Sequence, residues 1–215
     1  MSSQAYFNEI ASQWDSMQNS FFTDNVREVA LARAGVVSGQ LAADIGAGSG
    51  FVTTGLIKKG LRVIAVDQSE KMLSEMQRKF SNASDIEYRR GDADALPIDG
   101  DTVDHAFANM YLHHVEDPAA AVREMARVIK PGGMLIITDL NQHNHVDMAT
   151  DHHDRWMGFA HNDVRQWFEA AGLVDVQVGP IGFECCSTSN RTSGDISIGI
   201  WIASERKPQH LIQTP

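Results

Sequence analysis

The chain has 215 residues, 43% of them apolar and 21% charged, with a formal net charge of −10, which suits one globular α/β domain and is short for two. That acidity argues against a nucleic-acid substrate, whose binding needs a basic footprint, and no apolar run approaches the length of a membrane span. The opening Met1-Ser2-Ser3-Gln4-Ala5-Tyr6 carries neither a basic leader nor an apolar stretch, so a cytoplasmic protein is expected.

From the N-terminus, Tyr6, Phe7, Ile10, Ala11 and Trp14 recur at helical spacing. After a break, Thr23 stands as an N-cap for a second helix carrying Val26, Val29, Ala30 and Arg33 to Gly35. Strand and helix patterns then alternate, with strands over 41–45, 61–66, 86–90, 103–109 and 134–139 and helices over 51–59, 69–80 and 118–129. Such alternation predicts a parallel sheet with helices on both faces.

The turn after the first strand reads Asp44-Ile45-Gly46-Ala47-Gly48-Ser49-Gly50. Glycines at alternate positions permit a tight turn and a close approach of backbone to ligand. The spacing departs from the dinucleotide fingerprint G-x-G-x-x-G, with Phe51 and Thr53 where a third glycine would fall. A carboxylate just ahead of the first glycine suits a ligand with an ammonium or sulfonium better than a diphosphate. The next strand stops on Asp67, about 20 residues on, where a carboxylate can accept both hydroxyls of a ribose. The plainer alternative makes Asp67 a helix-opening residue ahead of the N-cap Ser69. Asp44, Asp67, Asp92 and Asn109 each close a predicted strand, and ligands of open parallel sheets lie beyond those carboxyl ends.

In chain order, Asp44-x-Gly46-x-Gly48-x-Gly50, Asp67, Gly91-Asp92-Ala93 and Pro131-Gly132-Gly133 resemble the motif series of class I S-adenosylmethionine-dependent methyltransferases, over roughly residues 37–140. Gly91-Asp92-Ala93-Asp94-Ala95-Leu96-Pro97, Leu112-His113-His114-Val115 and Arg127-Val128-Ile129-Lys130-Pro131-Gly132-Gly133 are similar to the small-molecule branch typified by ubiquinone and menaquinone C-methyltransferases, methyltransferase type 11. The resemblance implies a Rossmann-like, doubly wound, seven-stranded, mostly parallel sheet with an antiparallel last strand. It also implies S-adenosylmethionine as cofactor and S-adenosylhomocysteine as product. In that setting Asp44 offsets the methionine ammonium, Gly46, Gly48 and Gly50 let the ligand pass, and Asp67 holds the ribose beside Gln68. Asp92 and Ala93 take the adenine, Met72 covers the ring, and Asn109 lies toward the sulfonium. The N-terminal aromatics would act as a lid, with Tyr6 and Trp14 as candidates.

Beyond residue 140 the composition changes, and five of the nine histidines, His143, His145, His152, His153 and His161, fall between 141 and 161. The resemblance makes this interval a substrate-facing cap. A helix from Asn162 with Val164, Trp167, Phe168 and Ala171 on one face stops at Gly172. Strands over Leu173–Val178 and Ile196–Ala203 would close the sheet, with Cys185 and Cys186 in the loop between them. The adjacent cysteines are not expected to bond to each other, because the ring they would close is strained.

Methyl transfer needs a general base only if the acceptor must lose a proton, and His113, His143 and His153 are the catalytic candidates. The cap histidines, with Asp147, Asp151 and Asp154, could build a zinc or iron site, yet a metal-free cap is expected, since none of the histidines sit at i, i+4 and the adjacent His152 and His153 would diverge on a helix. The expected organisation is one domain over 1–207, comprising a lid over 1–36, a cofactor-binding core over 37–140, a cap over 141–161 and a closing helix and strands over 162–207, with a tail over 208–215. A small-molecule acceptor is the expected partner, without nucleic acid or a membrane span, and homodimerisation is left open. The competing readings are an idle S-adenosylmethionine-binding protein, a metal- or metalloid-related methyltransferase using Cys185 and Cys186, and a nicotinamide oxidoreductase, which the glycine spacing disfavours.

Overall fold

A computed structural model describes residues 3–188 and 195–209. The strand β1 (Leu41–Ile45) is buried along nearly its whole length, as a central parallel strand must be, and ends in the glycine turn that feeds α4 (Phe51–Lys58). β2 (Arg62–Asp67), α5 (Glu70–Lys79) and β3 (Ile86–Arg90) follow on one side. On the other side lie β4 (Val103–Asn109), α6 (Pro118–Val128) and β5 (Ile129–Leu140). The Ser69 side chain accepts from the Met72 backbone N–H and Asp117 does the same for Ala120, so both helices start where a local acceptor satisfies their first donors.

Closing the chain are α7 (Val146–Asp151), α8 (His161–Ala170), β6 (Gln177–Thr188) and β7 (Asp195–Arg206). The sheet order is β3-β2-β1-β4-β5-β7-β6, with β7 antiparallel to both of its neighbours and the other pairings parallel. The expected seven-stranded, mostly parallel sheet is therefore present. The chain reverses its direction of strand addition between β1 and β4, which is where open α/β sheets leave a crevice.

Two apolar layers flank the sheet. One packs α6 and α8 against β4, β5 and β7 through Met125, Val164, Phe168 and Trp201. The other packs α3 (Asp24–Ala34) and α4 through Leu31, Leu56, Phe107 and Ile136. Arg27, buried on α3, pairs with Asp24, donates to the Phe51 carbonyl and lies 5.0 Å from the Phe51 ring centre, tying α3 to the start of α4.

The structure departs from the sequence reading in several places. The N-terminal segment is three helices rather than two, because α1 (Ser3–Ile10) and α2 (Trp14–Phe21) are joined by a 3₁₀ turn over Ala11–Gln13. β6 starts later than the strand expected over Leu173–Val178 and both strands of the last pair run longer, so Cys185 and Cys186 lie within β6 and not in a loop. Successive strand residues point to opposite faces, and Cys185 is buried while Cys186 is exposed, so the two thiols cannot grip one metal or metalloid together. Both are free. The tail expected over 208–215 lies, beyond Gln209, outside the described residues.

Candidate active site

Asp44 sits one residue before the end of β1 and Asp67 at the end of β2, so both carboxylates rise at the carboxyl edge of the sheet. The Thr53 N–H and hydroxyl both donate to Asp44 Oδ2, at 2.9 and 2.7 Å. The N–H groups of Gly48 and Ser69 donate to Asp67 at 2.8 Å each. All four donors are neutral, and burial raises both carboxylates to about 6 despite them. Two buried anions with only neutral partners make a place where a cationic or hydroxyl-bearing ligand gains more than water does.

The glycine turn bends around these groups. Gly46 and Gly48 have φ of 67° and 53°. A Cβ on Gly46 would fall 2.3 Å from the Tyr111 ring, and one on Gly48 would fall 3.3 Å from Trp14 Nε1, so neither a side chain nor an ordinary backbone fits there. Gly50, also left-handed, is packed against Phe80 and Met76 and serves the turn rather than the cavity wall.

Three connected cavities open at this edge. The first, about 50 Å³, is bounded by Asp44, Gly46, Gly48, Asp67, Gln68, Met72 and Asn109, with Trp14 above. The second, wider at about 310 Å³, is bordered by Gln68, Asp92, Ala93 and Asp94. Asp92 stands two residues beyond β3 instead of closing it. Gln68, Tyr111 and His114 border both of these cavities. The third, about 40 Å³, is aromatic, walled by Tyr6, Phe7, Phe21, Phe22, His113 and Cys185 among others. Spaces of about 40 and 50 Å³ hold a few waters, and residues of the N-terminal helices form part of both walls.

Those helices are fastened to the cofactor edge by polar contacts. The Ser69 hydroxyl donates to Asn8 at 2.7 Å, the Gln4 amide donates to the Gln68 carbonyl at 2.9 Å, and Ser49 hydrogen-bonds Asp15. Both Tyr6 and Trp14 lie on cavity walls.

Of the three histidines singled out as catalytic, His113 alone lies on a cavity wall. Burial disfavours its charge, yet Asp139, 2.6 Å from Nδ1, overcomes this and holds the imidazole at about 9. His143 is lowered to about 4 by burial and by neighbouring histidines, and its Nδ1 accepts from the His145 N–H. His153 stacks on Tyr6 at 4.8 Å. Neither reaches the aromatic chamber wall. Sequence reasoning missed His114, which borders all three cavities, and set Asp154 only with the cap histidines, whereas its side chain, 2% exposed, is in contact with both His113 and His114. The doublet His113-His114 was a visible signal; its meeting with Asp154, from a distant segment, had none.

Comparison with known proteins agrees with this geometry. Residues 43–137 match the family model described as a methyltransferase domain. The chain is 33% identical over 140 residues to a demethylmenaquinone methyltransferase of Clavibacter sepedonicus, covering 64% of this chain and 57% of that protein. It is 30% identical over 165 residues to the chloroplastic 2-methyl-6-phytyl-1,4-hydroquinone methyltransferase 1 of Oryza sativa subsp. japonica, covering 75% of this chain and 49% of the relative. The chain thus spans about half the length of these curated relatives. A solved structure, a complex of the Haloferax volcanii Trm112 methyltransferase activator with a methyltransferase, superposes with a TM-score of 0.80 at 25% identity, over 97% of this chain and 99% of that one. Residues 43–137 of this chain thus resemble a methyltransferase domain, set in a fold shared with a solved methyltransferase.

Proposed function

We propose that the protein binds S-adenosylmethionine along the Gly46–Gly48 turn and moves its methyl group to a small, partly apolar acceptor in the aromatic chamber. The observation that carries this reading is a shared wall. Phe7, Trp14, Phe22, Met110 and His114 border both the glycine-turn cavity and the aromatic chamber, so ligands seated in the two would meet there.

The residues present fit the cofactor. Asp44 and Asp67 are buried carboxylates whose hydrogen-bond donors, from Thr53, Gly48 and Ser69, are all neutral, which suits an ammonium, a nearby sulfonium and the ribose hydroxyls. Asp92 and Ala93 border the wider cavity, where an adenine is accepted by a carboxylate and a backbone N–H. Met72, fully buried at the same edge, supplies apolar cover. When bound, the cofactor supplies an electrophilic methyl group on sulfur. The chain aligns the acceptor behind it and excludes water with Phe7, Trp14, Phe21 and Phe22, for which no protein nucleophile is needed.

Both curated relatives are named for quinone-type rings, and an aromatic acceptor of that kind suits a chamber walled by rings. We place the protein in the cytoplasm as one domain over 1–207, with the cap over 141–161 selecting the acceptor. The test is transfer of isotope-labelled methyl from S-adenosylmethionine to a panel of hydroquinones, phenols and thiols. Label found only in protein or RNA would defeat the small-molecule reading, and tight cofactor binding without any transfer would leave an idle binding protein.

A further inference from the structure

Among the described residues one group of three histidine or acidic side chains converges closely enough to hold an ion: His113, His114 and Asp154, whose ligand atoms all lie within 4.8 Å of one another. They come from separate parts of the chain. The two histidines form the short 3₁₀ turn after β4, and Asp154 follows α7 in the cap. The adjacent histidine rings do not diverge as they would on an α-helix; their centres are 4.1 Å apart. His113 Nε2 and His114 Nδ1 each stand 3.7 Å from Asp154 Oδ1.

This arrangement leaves polar atoms stranded. His114 Nδ1 and Asp154 Oδ1 are both buried without any hydrogen-bond partner, in side chains 6% and 2% exposed. A buried acceptor pair of this kind is costly unless something sits between them. The outward-facing sides are already occupied. Asp139, wholly buried, lies 2.6 Å from His113 Nδ1 and accepts from the Leu140 N–H at 2.7 Å, while the His114 ring hydrogen-bonds the His153 backbone. A carboxylate and a backbone group behind two imidazoles is the outer shell that metal-binding histidines use to fix ring orientation and tautomer.

We propose that His113 Nε2, His114 Nδ1 and the Asp154 carboxylate bind a divalent first-row transition metal, zinc or iron(II), with an open coordination position toward the aromatic chamber. Two nitrogens and one oxygen suit such ions better than magnesium or calcium, which prefer oxygen throughout. Bonds of about 2.0–2.2 Å place tetrahedral ligand atoms roughly 3.3–3.6 Å apart, so the two 3.7 Å separations need to contract by tenths of an ångström and the remaining one, within 4.8 Å, by up to about 1 Å. Three protein ligands and a vacant fourth is the pattern of a working site rather than a structural one. His113, His114 and Asp154 all border the chamber, so the vacant position faces the methyl acceptor. There an ion would anchor an ionisable oxygen or sulfur and lower its pKa. That role rests on the transfer reading above; the site itself does not.

Cobalt(II) is the probe. Tag-free, chelator-stripped protein is titrated with Co²⁺ and followed by visible absorption, with Zn²⁺ added afterwards in competition and no methyl donor present. Saturation at one equivalent with tetrahedral or five-coordinate bands, displaced by Zn²⁺, is expected. Asp154→Asn and His114→Ala should weaken binding at least tenfold, and Asp139→Asn about 10- to 100-fold through loss of the outer shell. His145→Ala, exposed on the cap, should leave it unchanged. Far-UV circular dichroism and thermal melting of each variant report that it is folded. A wild-type titration without a saturable band, or equal affinity in folded Asp154→Asn, overturns the proposal whatever the methyl-transfer assay returns.

Discussion

Asp67 and Asp44 carry the clearest residue-scale consequences. Asp67 accepts from two backbone N–H groups and still has lone pairs for a ligand's hydroxyls. Replacing it by Ala removes two charge-assisted bonds, on the order of 2–4 kcal/mol, or roughly 30- to 1000-fold in affinity for S-adenosylhomocysteine. Calorimetry giving an unchanged dissociation constant would reduce Asp67 to a helix-opening residue. Both carboxylates are raised to about 6 by burial, and a cationic ligand favours their ionised forms. Protonation therefore competes with binding below that pH: affinity should be flat above pH 7 and fall by about tenfold per pH unit for each carboxylate below 6. Calorimetry at pH 7.5, 6.0 and 5.0 checks this, and a flat profile would mean that neither group meets the ligand's charge.

At the scale of elements, the end of the cap makes a tight crossing with the end of β5. Gly158 has φ of 67°, and a Cβ there would fall 2.2 Å from the Asn141 carbonyl oxygen, a backbone atom that cannot step aside. Gly158→Ala should therefore cost about 2–4 kcal/mol by denaturant titration, with m unchanged; a loss under about 0.5 kcal/mol would show the cap crossing to be pliable. The central strands were legible from sequence because burial on both sides leaves an unbroken apolar run, as in Val63-Ile64-Ala65-Val66 ahead of Asp67. β6 was not, because Gly179, Pro180 and Gly182 read as breakers; the strand absorbs them in a register shift between Pro180 and Glu184. The cofactor edge was legible for the same local reason as β1, since the glycines and strand-ending acids lie in short segments. The Asp154 contact was not, because it depends on the cap folding back so that the N–H groups of Arg155 and Trp156 donate to the His113 carbonyl at 2.9 and 3.1 Å.

The whole molecule combines a rigid sheet with a cover that must open. β1, β4 and β5 are buried and paired on both edges, whereas α1 has no fully buried residue and α2 buries only Gln18. The cavities of about 40 and 50 Å³ beneath that cover are too small for a nucleoside-bearing ligand, and Tyr111 borders both the glycine-turn cavity and the wider one beside Asp92. A ligand spanning both is expected to displace the N-terminal helices and, once seated, to give Trp14 and Phe7 more surface to pack against. Local opening of this kind governs hydrogen exchange in segments with few buried contacts. Without ligand, amides of residues 3–21 should exchange far faster than those of 41–45, 103–109 and 134–140. Saturating S-adenosylhomocysteine should slow exchange in the first segment at least tenfold and leave the sheet strands nearly unchanged. Trp14→Ala should abolish most of that protection while the sheet pattern stays, because the indole is the part of the cover lying against Gly48. Equal exchange in residues 3–21 with and without ligand would mean that these helices do not close over the cofactor, and the route to the aromatic chamber would have to lie through the cap instead.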